Sequence, residues 1–297
     1  MTIIILSRGK CALSDSTSAY MVAMATTPLL MMIFNVHHIF SFHFIHPFFS
    51  LTGFCKFVIY MSSSNLYMAV WYTVLFTFDR YVAICCEKLK TKYCRRRKAA
   101  IAIMSTTVVV YLANLPYWIA YEPEQIIDQL QWGCRLNLNF FSSPAGEAFS
   151  WLQSILTVCL PFSLIFMFNS LTVRRIVVAN RARKSIRGCK NESQRDPELE
   201  VRRKSIILLF AVSGSFILLW LTAAVSFLST KITDTARYHG DHANPAYIAT
   251  ETGHMLMYLN SCTNVCIYAA TQSKFRQELK KVLIFPWLFI LKLTKRN

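Results

Sequence analysis

Apolar residues gather into six long runs, at residues 20–42, 55–86, 99–121, 149–179, 206–228 and 246–270, with polar stretches between them. An α-helix needs roughly 20 mostly apolar residues to cross a bilayer core, and each run meets that length. The runs lack the strict alternation of a membrane β-barrel, so that architecture is excluded. A soluble protein buries one such helix easily, but not six. Residues 1–6 are also apolar, yet far too short to span. They have no charged start and no small-residue cleavage site, so they are not a signal peptide. They read as the last turn of a further helix.

Lys and Arg orient the runs, because cytoplasmic loops of membrane proteins hold the excess of both. Residues 7–19 hold two, 43–54 none, 87–98 seven, 122–148 one, 174–204 eleven, 229–245 two, and the stretch after residue 270 seven. The loops alternate between rich and poor along the whole chain. Counting Arg80, at the inner end of its helix, the rich set takes 28 of the 32 cations. Residues 7–19 and the C-terminus therefore face the cytoplasm. With a helix ahead of Met1 the six complete spans become a seven-transmembrane helix bundle whose N-terminus is extracellular. Residues 1–297 then form one transmembrane domain, and 273–297 supply an amphipathic helix and cytoplasmic tail. A chain lacking most of that first helix is expected to stay inside the cell, while one extended upstream by about 20 apolar residues reaches the surface.

Composition agrees with this reading and removes others. The chain is 54% apolar and only 16% charged, against about 25% charged in an ordinary globular protein. A net charge of +17 invites a nucleic-acid reading. Nucleic acid is excluded because the cations lie in separate loops. Their ordinary roles are topology and contact with anionic membrane lipids. Ten cysteines are too sparse for a disulfide scaffold. The loop of residues 181–204 mixes cations with Glu192, Asp196, Glu198 and Glu200, as in a polar cytoplasmic segment. The sequon Asn191-Glu-Ser193 falls on the same side, where it is silent.

Asp79-Arg80-Tyr81 closes the second long run, just before a basic loop. Charge near a membrane core is costly and usually marks function. The bland alternative is an interface anchor. Cys55 lies 25 residues before Arg80, which is about 37 Å of helix, one bilayer crossing. Cys134 is the one cysteine in an outer loop, on the oxidising side. A Cys55–Cys134 disulfide would staple the long outer loop to the top of this helix.

With these residues placed, the chain resembles the rhodopsin-like (class A) G-protein-coupled receptors over nearly its whole length. Asp79-Arg80-Tyr81 resembles their helix-three motif, Phe216 and Trp220 their helix-six switch pair, and Pro161 their helix-five proline. Asn264-Val-Cys-Ile-Tyr268 resembles their helix-seven motif, and Phe275 with residues 273–283 their short eighth helix. The stretches Phe78–Cys86, Lys88–Cys94 and Asn260–Tyr268 resemble the orphan group around probable G-protein coupled receptor 139. That resemblance implies aromatic amino acids or small peptides as ligands and Gq-type coupling. The class implies no catalytic residues and no cofactor. It implies a heterotrimeric G protein as partner, bound through Asp79, Arg80, Tyr81, Asn264 and Tyr268, and activation through Phe216, Trp220 and Pro161. It also implies a multi-pass location in the plasma membrane; a receptor dimer is compatible with it.

The chain departs from the family pattern at several positions. Pro28 stands where the family has the Asp that binds sodium, so no metal is expected despite Asn260 and Asn264. Thr222 and Val265 replace the helix-six and helix-seven prolines, which leaves helix seven without its usual source of a kink. Pro28 can kink helix two instead.

For the outer pocket the residues are Ser62, Ser63, Asn65, Arg135, Trp220, Glu251 and His254. Ser62 falls where amine receptors carry an Asp, which argues against an amine ligand. Arg135 and Glu251 are the one pair suited to the two ends of an amino acid. Three rival functions bear on the same residues. A His-cluster metalloenzyme would use His37, His38, His43 and His46, but that cluster is single and faces outward. A channel or transporter would need an internal repeat or a broken helix, and neither is visible. A truncated, non-signalling partner of a full receptor is the remaining alternative.

Overall fold

The computed structural model describes residues 2–7, 14–43, 51–186, 197–232 and 245–294. In chain order the helices are α1 (Thr2–Ser7), α2 (Asp15–His43), α3 (Thr52–Cys85), α4 (Glu87–Tyr93), α5 (Arg96–Ala113) and α6 (Tyr117–Ala120). They continue with α7 (Leu138–Phe141), α8 (Pro144–Ser154), α9 (Leu160–Ile186), α10 (Pro197–Ile232), α11 (Pro245–Thr271) and α12 (Ser273–Thr294). A π-helical turn, Ile155–Cys159, joins α8 to α9. Between α6 and α7 lie four short strands, β1 (Tyr121–Glu122), β2 (Gln125–Ile127), β3 (Leu130–Trp132) and β4 (Arg135–Leu136).

Five helical stretches are long and apolar enough to cross a membrane: Asp15–Phe34, Thr52–Cys85, Arg96–Ala120, Pro144–Arg181 and Arg202–Ser229. The sixth expected span is α11. Its 27 residues give it the length, but Glu251, His254 and several Asn, Ser and Thr make it more polar. The molecule is a multi-pass, all-α membrane protein.

Local chemistry accounts for the helix boundaries. Asn114 follows the last residue of α5 and turns its amide back onto the Val110 carbonyl at 2.9 Å. Pro116 then disfavours helical backbone at Leu115. Ser143 caps α8 by accepting from the Gly146 N–H at 3.1 Å, and Pro144 takes the first helical position, where its missing N–H costs nothing. Pro161 explains the π turn. It has no N–H for the Thr157 carbonyl, and its ring crowds that carbonyl. The chain inserts one residue, and the Leu160 N–H reaches the Ile155 carbonyl. In contrast, α2 runs on through Pro28. Thr26 and Thr27 there turn their hydroxyls to the Val22 and Ala23 carbonyls at 2.8 and 3.5 Å.

The strands form a hairpin over the outer face. β2 pairs with β3 and β1 with β4, both antiparallel. The two-residue turn Asp128–Gln129 has φ of 49° and 62°, the left-handed twist that matches a tight hairpin. Gly133 has φ of 63°, which suits a residue without a Cβ.

Two clusters form the core. One includes Tyr72, Phe76, Leu208, Val212, Tyr268 and Phe275, with Ile5 and Leu6 of α1 fully buried in it. Residues 2–6, read as part of the end of a helix, thus pack as one against the bundle. The Ser18 hydroxyl fixes this turn by donating to the Leu6 carbonyl at 2.9 Å. The other cluster is Val70, Val74, Ile165, Phe216, Trp220 and Met257. The last helix, α12, extends to Thr294 rather than ending near residue 283.

Candidate functional site

Arg80 and Asp79 sit at the inner end of α3 with side chains 5% exposed. A charge so far out of water must be paired and hydrogen-bonded. Asp79 Oδ2 accepts from Arg80 Nε at 3.1 Å and, more closely, from Nη2. Arg80 Nη2 also donates to Ser14 Oγ at 3.1 Å and to Ser16 Oγ at 3.5 Å. Ser16 in turn donates to Asp79 Oδ2 at 3.3 Å. From the other side, Arg80 Nη1 donates to Ser205 Oγ of α10 at 3.5 Å. The arginine therefore joins α3 to the start of α2 and to the inner part of α10. Among the described residues no carboxylate other than Asp79 reaches it. Arg202, one turn before Ser205, donates to the Ile84 carbonyl at 3.2 Å, a second tie between α10 and α3.

These hydroxyls are where helix chemistry puts them. Ser14 precedes α2 and accepts from the Thr17 N–H at 3.4 Å, as a helix cap does. Sequence reasoning missed Ser14, Ser16 and Ser205. The Ser-Asp-Ser-Thr run at the start of α2 is a helix-start signal, and it was available. Tyr81 stacks on Phe168 of α9, with centroids 5.7 Å apart. The Cys94 thiol donates to the Asp79 carbonyl at 3.6 Å. Burial and the negative Asp79 push that thiol up to about 11.

Half-way up the bundle, Phe216 and Trp220 stack with centroids 4.9 Å apart, and Phe162 packs on Phe216 at 5.7 Å. Phe162 is the neighbour of Pro161, so the π turn and the aromatic pair are in direct mechanical contact. Near the inner end, Tyr268 and Phe275 are fully buried, edge to face at 6.0 Å. Asn264 is buried one turn above Tyr268. The Asn264 Oδ1, Tyr268 Oη and Trp220 Nε1 have no protein partner among the described residues.

At the outer end Cys55 and Cys134 are disulfide-bonded, with Cα atoms 6.1 Å apart across 79 residues of chain. The Thr52 hydroxyl adds a hydrogen bond to the Gly133 carbonyl at 2.7 Å. Among the described residues the free cysteines are Cys85, Cys86, Cys94, Cys159, Cys262 and Cys266.

The predicted pocket residues are only partly brought together. Ser62 keeps a buried hydroxyl without a protein partner. Ser63 is hydrogen-bonded to Tyr117 of α6, which is bonded to Tyr67, and Tyr67 to Thr157. Ser63 therefore joins a network linking α3, α6 and the π turn. Asn65 is fully buried and donates to the Met61 carbonyl of its own helix at 2.8 Å. Arg135 and Glu251 are not paired with each other. Arg135 Nε donates to Glu122 Oε1 at 2.8 Å across the β1–β4 pair. Glu251 lies 3.6 Å from His254 Nδ1, and both side chains are about half exposed. Charge alone suggests the pair, but Arg135 has a nearer carboxylate in Glu122 and Glu251 has the His254 ring beside it. The histidine cluster of residues 37–46 and the acidic stretch 192–200 lie outside the described side chains. Among described residues no group of His, Cys, Asp and Glu is arranged to hold a metal ion.

The described residues thus form an apolar helical bundle with a disulfide-stapled loop at one end and a buried arginine toward the other. The family model described as 7 transmembrane receptor (rhodopsin family) matches residues 1–268, and the chain belongs to that family. The human G-protein coupled estrogen receptor 1 is 23% identical over 275 residues, 88% of this chain and 64% of the relative. The rat B2 bradykinin receptor is 24% identical over 236 residues, 77% and 55% of the two chains. The mouse probable C-C chemokine receptor type 3 is 24% identical over 229 residues, 72% and 55% of the two. The chain spans under two thirds of the length of these relatives.

Proposed function

We propose that this protein is a plasma-membrane receptor that takes up an extracellular small molecule or peptide and promotes nucleotide exchange on a heterotrimeric G protein of the Gq type. The observation that carries the reading is Arg80, buried and tied to Asp79, Ser14, Ser16 and Ser205. Three of these four partners are neutral hydroxyls. A hydrogen bond has a modest net worth of about 0.5–1.5 kcal/mol, so a small shift of α10 is enough to break the Ser205 tie and loosen the hold on the arginine. Gq coupling and an aromatic or peptide ligand come from the resemblance to the orphan group around probable G-protein coupled receptor 139. The three relatives are named for a steroid, a peptide and a chemokine, so their names do not fix the ligand. Ser62 Oγ and Trp220 Nε1, buried without protein partners, suit a ligand with neutral polar groups.

The test uses the full chain in cells, reading inositol phosphate and cAMP without added ligand, since Ser205→Ala removes the tie between Arg80 and α10. Ser205→Ala is expected to raise basal inositol phosphate about fivefold, the weight of roughly 1 kcal/mol on the closed state. Adding Arg80→Ala to Ser205→Ala is expected to abolish the rise at equal surface expression. A rise that survives Arg80→Ala overturns the role of the arginine. A rise in cAMP alone overturns the Gq assignment and keeps the receptor.

A further inference from the structure

A groove of about 470 Å³ opens between α9 and α10 in the inner half of the bundle. It has the chemistry of a phospholipid written along one helix. Phe166, Ser170 and Arg174 are each one turn apart on α9, so they lie on one face. Phe166 is 70% exposed, and Ser170 and Arg174 are also exposed. Going inward the order is apolar ring, hydroxyl, guanidinium. A lipid of the inner leaflet has the same order: acyl chain, ester, phosphate. Neither the Ser170 hydroxyl nor the Arg174 guanidinium has a partner among the described residues. A polar group facing hydrocarbon is costly until it finds one.

The floor of the groove is polar as well. Asn169 Nδ2 donates to Ser213 Oγ at 2.9 Å, joining α9 to α10. Gly214 lies beside this pair, and no atom lies within 4 Å of where its Cβ would be. Phe210 and Ile217 form the α10 wall.

We propose that this groove is a specific site for one acidic phospholipid. Its phosphate pairs with Arg174, an ester carbonyl accepts from the Ser170 hydroxyl, and an acyl chain lies over Gly214 against Phe166 and Ile217. The commitment to an acidic lipid rests on charge. Arg174 carries one unpaired positive charge at the inner rim, where the anionic leaflet lies. A zwitterionic lipid has no net charge and gains less from that cation.

The experiment is native mass spectrometry of the purified full chain in detergent, titrated with phosphatidylserine or phosphatidylcholine. One phosphatidylserine is expected to stay bound under conditions that strip phosphatidylcholine. Arg174→Ala is expected to weaken retention about fivefold, the weight of one cation at an anionic surface, and Arg174→Lys to restore most of it. Gly214→Leu fills the groove without touching a charge and is expected to abolish retention. Arg97→Ala, which removes an exposed cation from the start of α5, is expected to leave it unchanged. Intact Cys55–Cys134 bonding and an unchanged melting temperature show that each variant is folded. Equal retention of the two lipids, retention in Gly214→Leu like that of the parent, or equal losses in Arg97→Ala and Arg174→Ala each overturn the site. Displacement by soluble glycerophosphoserine overturns the acyl-chain part.

Discussion

Single residues at the inner end carry most of the chemistry. Cys94 reports on their packing. Its thiol is pushed up to about 11 from an ordinary 9, by burial first and by Asp79 second. The neutral thiol is thus favoured, and thiolate appears only as pH rises past the usual range. Alkylation of Cys94 at pH 8 is expected to be about a hundredfold slower than that of an exposed thiol, since each unit of pKa is a factor of ten. Its rate is expected to keep climbing to about pH 11, where exposed thiols have levelled off. Mass-spectrometric site mapping over a pH series checks this; a plateau near 9 would contradict the burial. Asp79, Arg80, Tyr81, Phe216, Trp220, Cys55 and Cys134 were legible in the sequence because charge, aromatic rings and outer-side cysteines are conspicuous in apolar runs. Ser14 and Ser16 were not, because a hydroxyl at a helix start signals a cap and not the arginine it meets, and Ser205, inside α10, gives no signal until its partner is known. Arg135 and Glu251 misled because charge complementarity between a strand and a distant helix carries no distance information.

Among the elements, helix existence followed from apolar run length, but the run at 99–121 is broken at 114–116 between α5 and α6 and ends in β1, and the run at 55–86 passes the end of α3 by one residue. Three details lay beyond that pattern. The π turn needs the Pro161 ring and the carbonyl it displaces to be seen together. The hairpin of β1–β4 has strands of two or three residues, too short for alternation to register. The length of α12 exceeds its amphipathic stretch. Two glycines show how helix packing discriminates. A Cβ on Gly253 would meet Ala223 Cα at 2.7 Å, so α11 and α10 touch through their backbones there. Gly214 has nothing within 4 Å. Gly253→Val is expected to cost about 1–3 kcal/mol through overpacking, while Gly214→Ala is expected to be neutral or stabilising by up to about 1 kcal/mol through helix propensity. Melting temperatures of the purified variants check both. A Gly253→Val protein as stable as the parent would mean that the two helices can separate freely.

At the scale of the whole bundle, α10 is joined to two neighbouring helices by separable polar ties. It reaches α3 through Ser205–Arg80 and Arg202–Ile84, and α9 through Ser213–Asn169. Its buried apolar residues include Leu208 and Val212 between Ser205 and Ser213, and Phe216 just beyond. Apolar contacts slide at little cost, whereas a hydrogen bond is either made or broken. The three ties therefore act as discrete increments on one equilibrium between a closed and an open inner face. Each is worth roughly 0.5–1.5 kcal/mol. Ser205 and Ser213 lie eight residues apart on one helix, or about 12 Å, and share no partner, so their effects are expected to add. If α10 moves as one rigid body, Ser205→Ala and Ser213→Ala each raise basal nucleotide exchange about fivefold and the double variant about twenty-fivefold, until the open state saturates. If the inner end of α10 frays alone, Ser213→Ala has no effect on exchange and the double variant matches Ser205→Ala. Basal GTPγS binding by a purified Gq heterotrimer, with equal amounts of each variant in the same lipid, separates the two outcomes. A double variant no more active than the better single one would show that the ties are not independent increments and that α10 does not move as a unit.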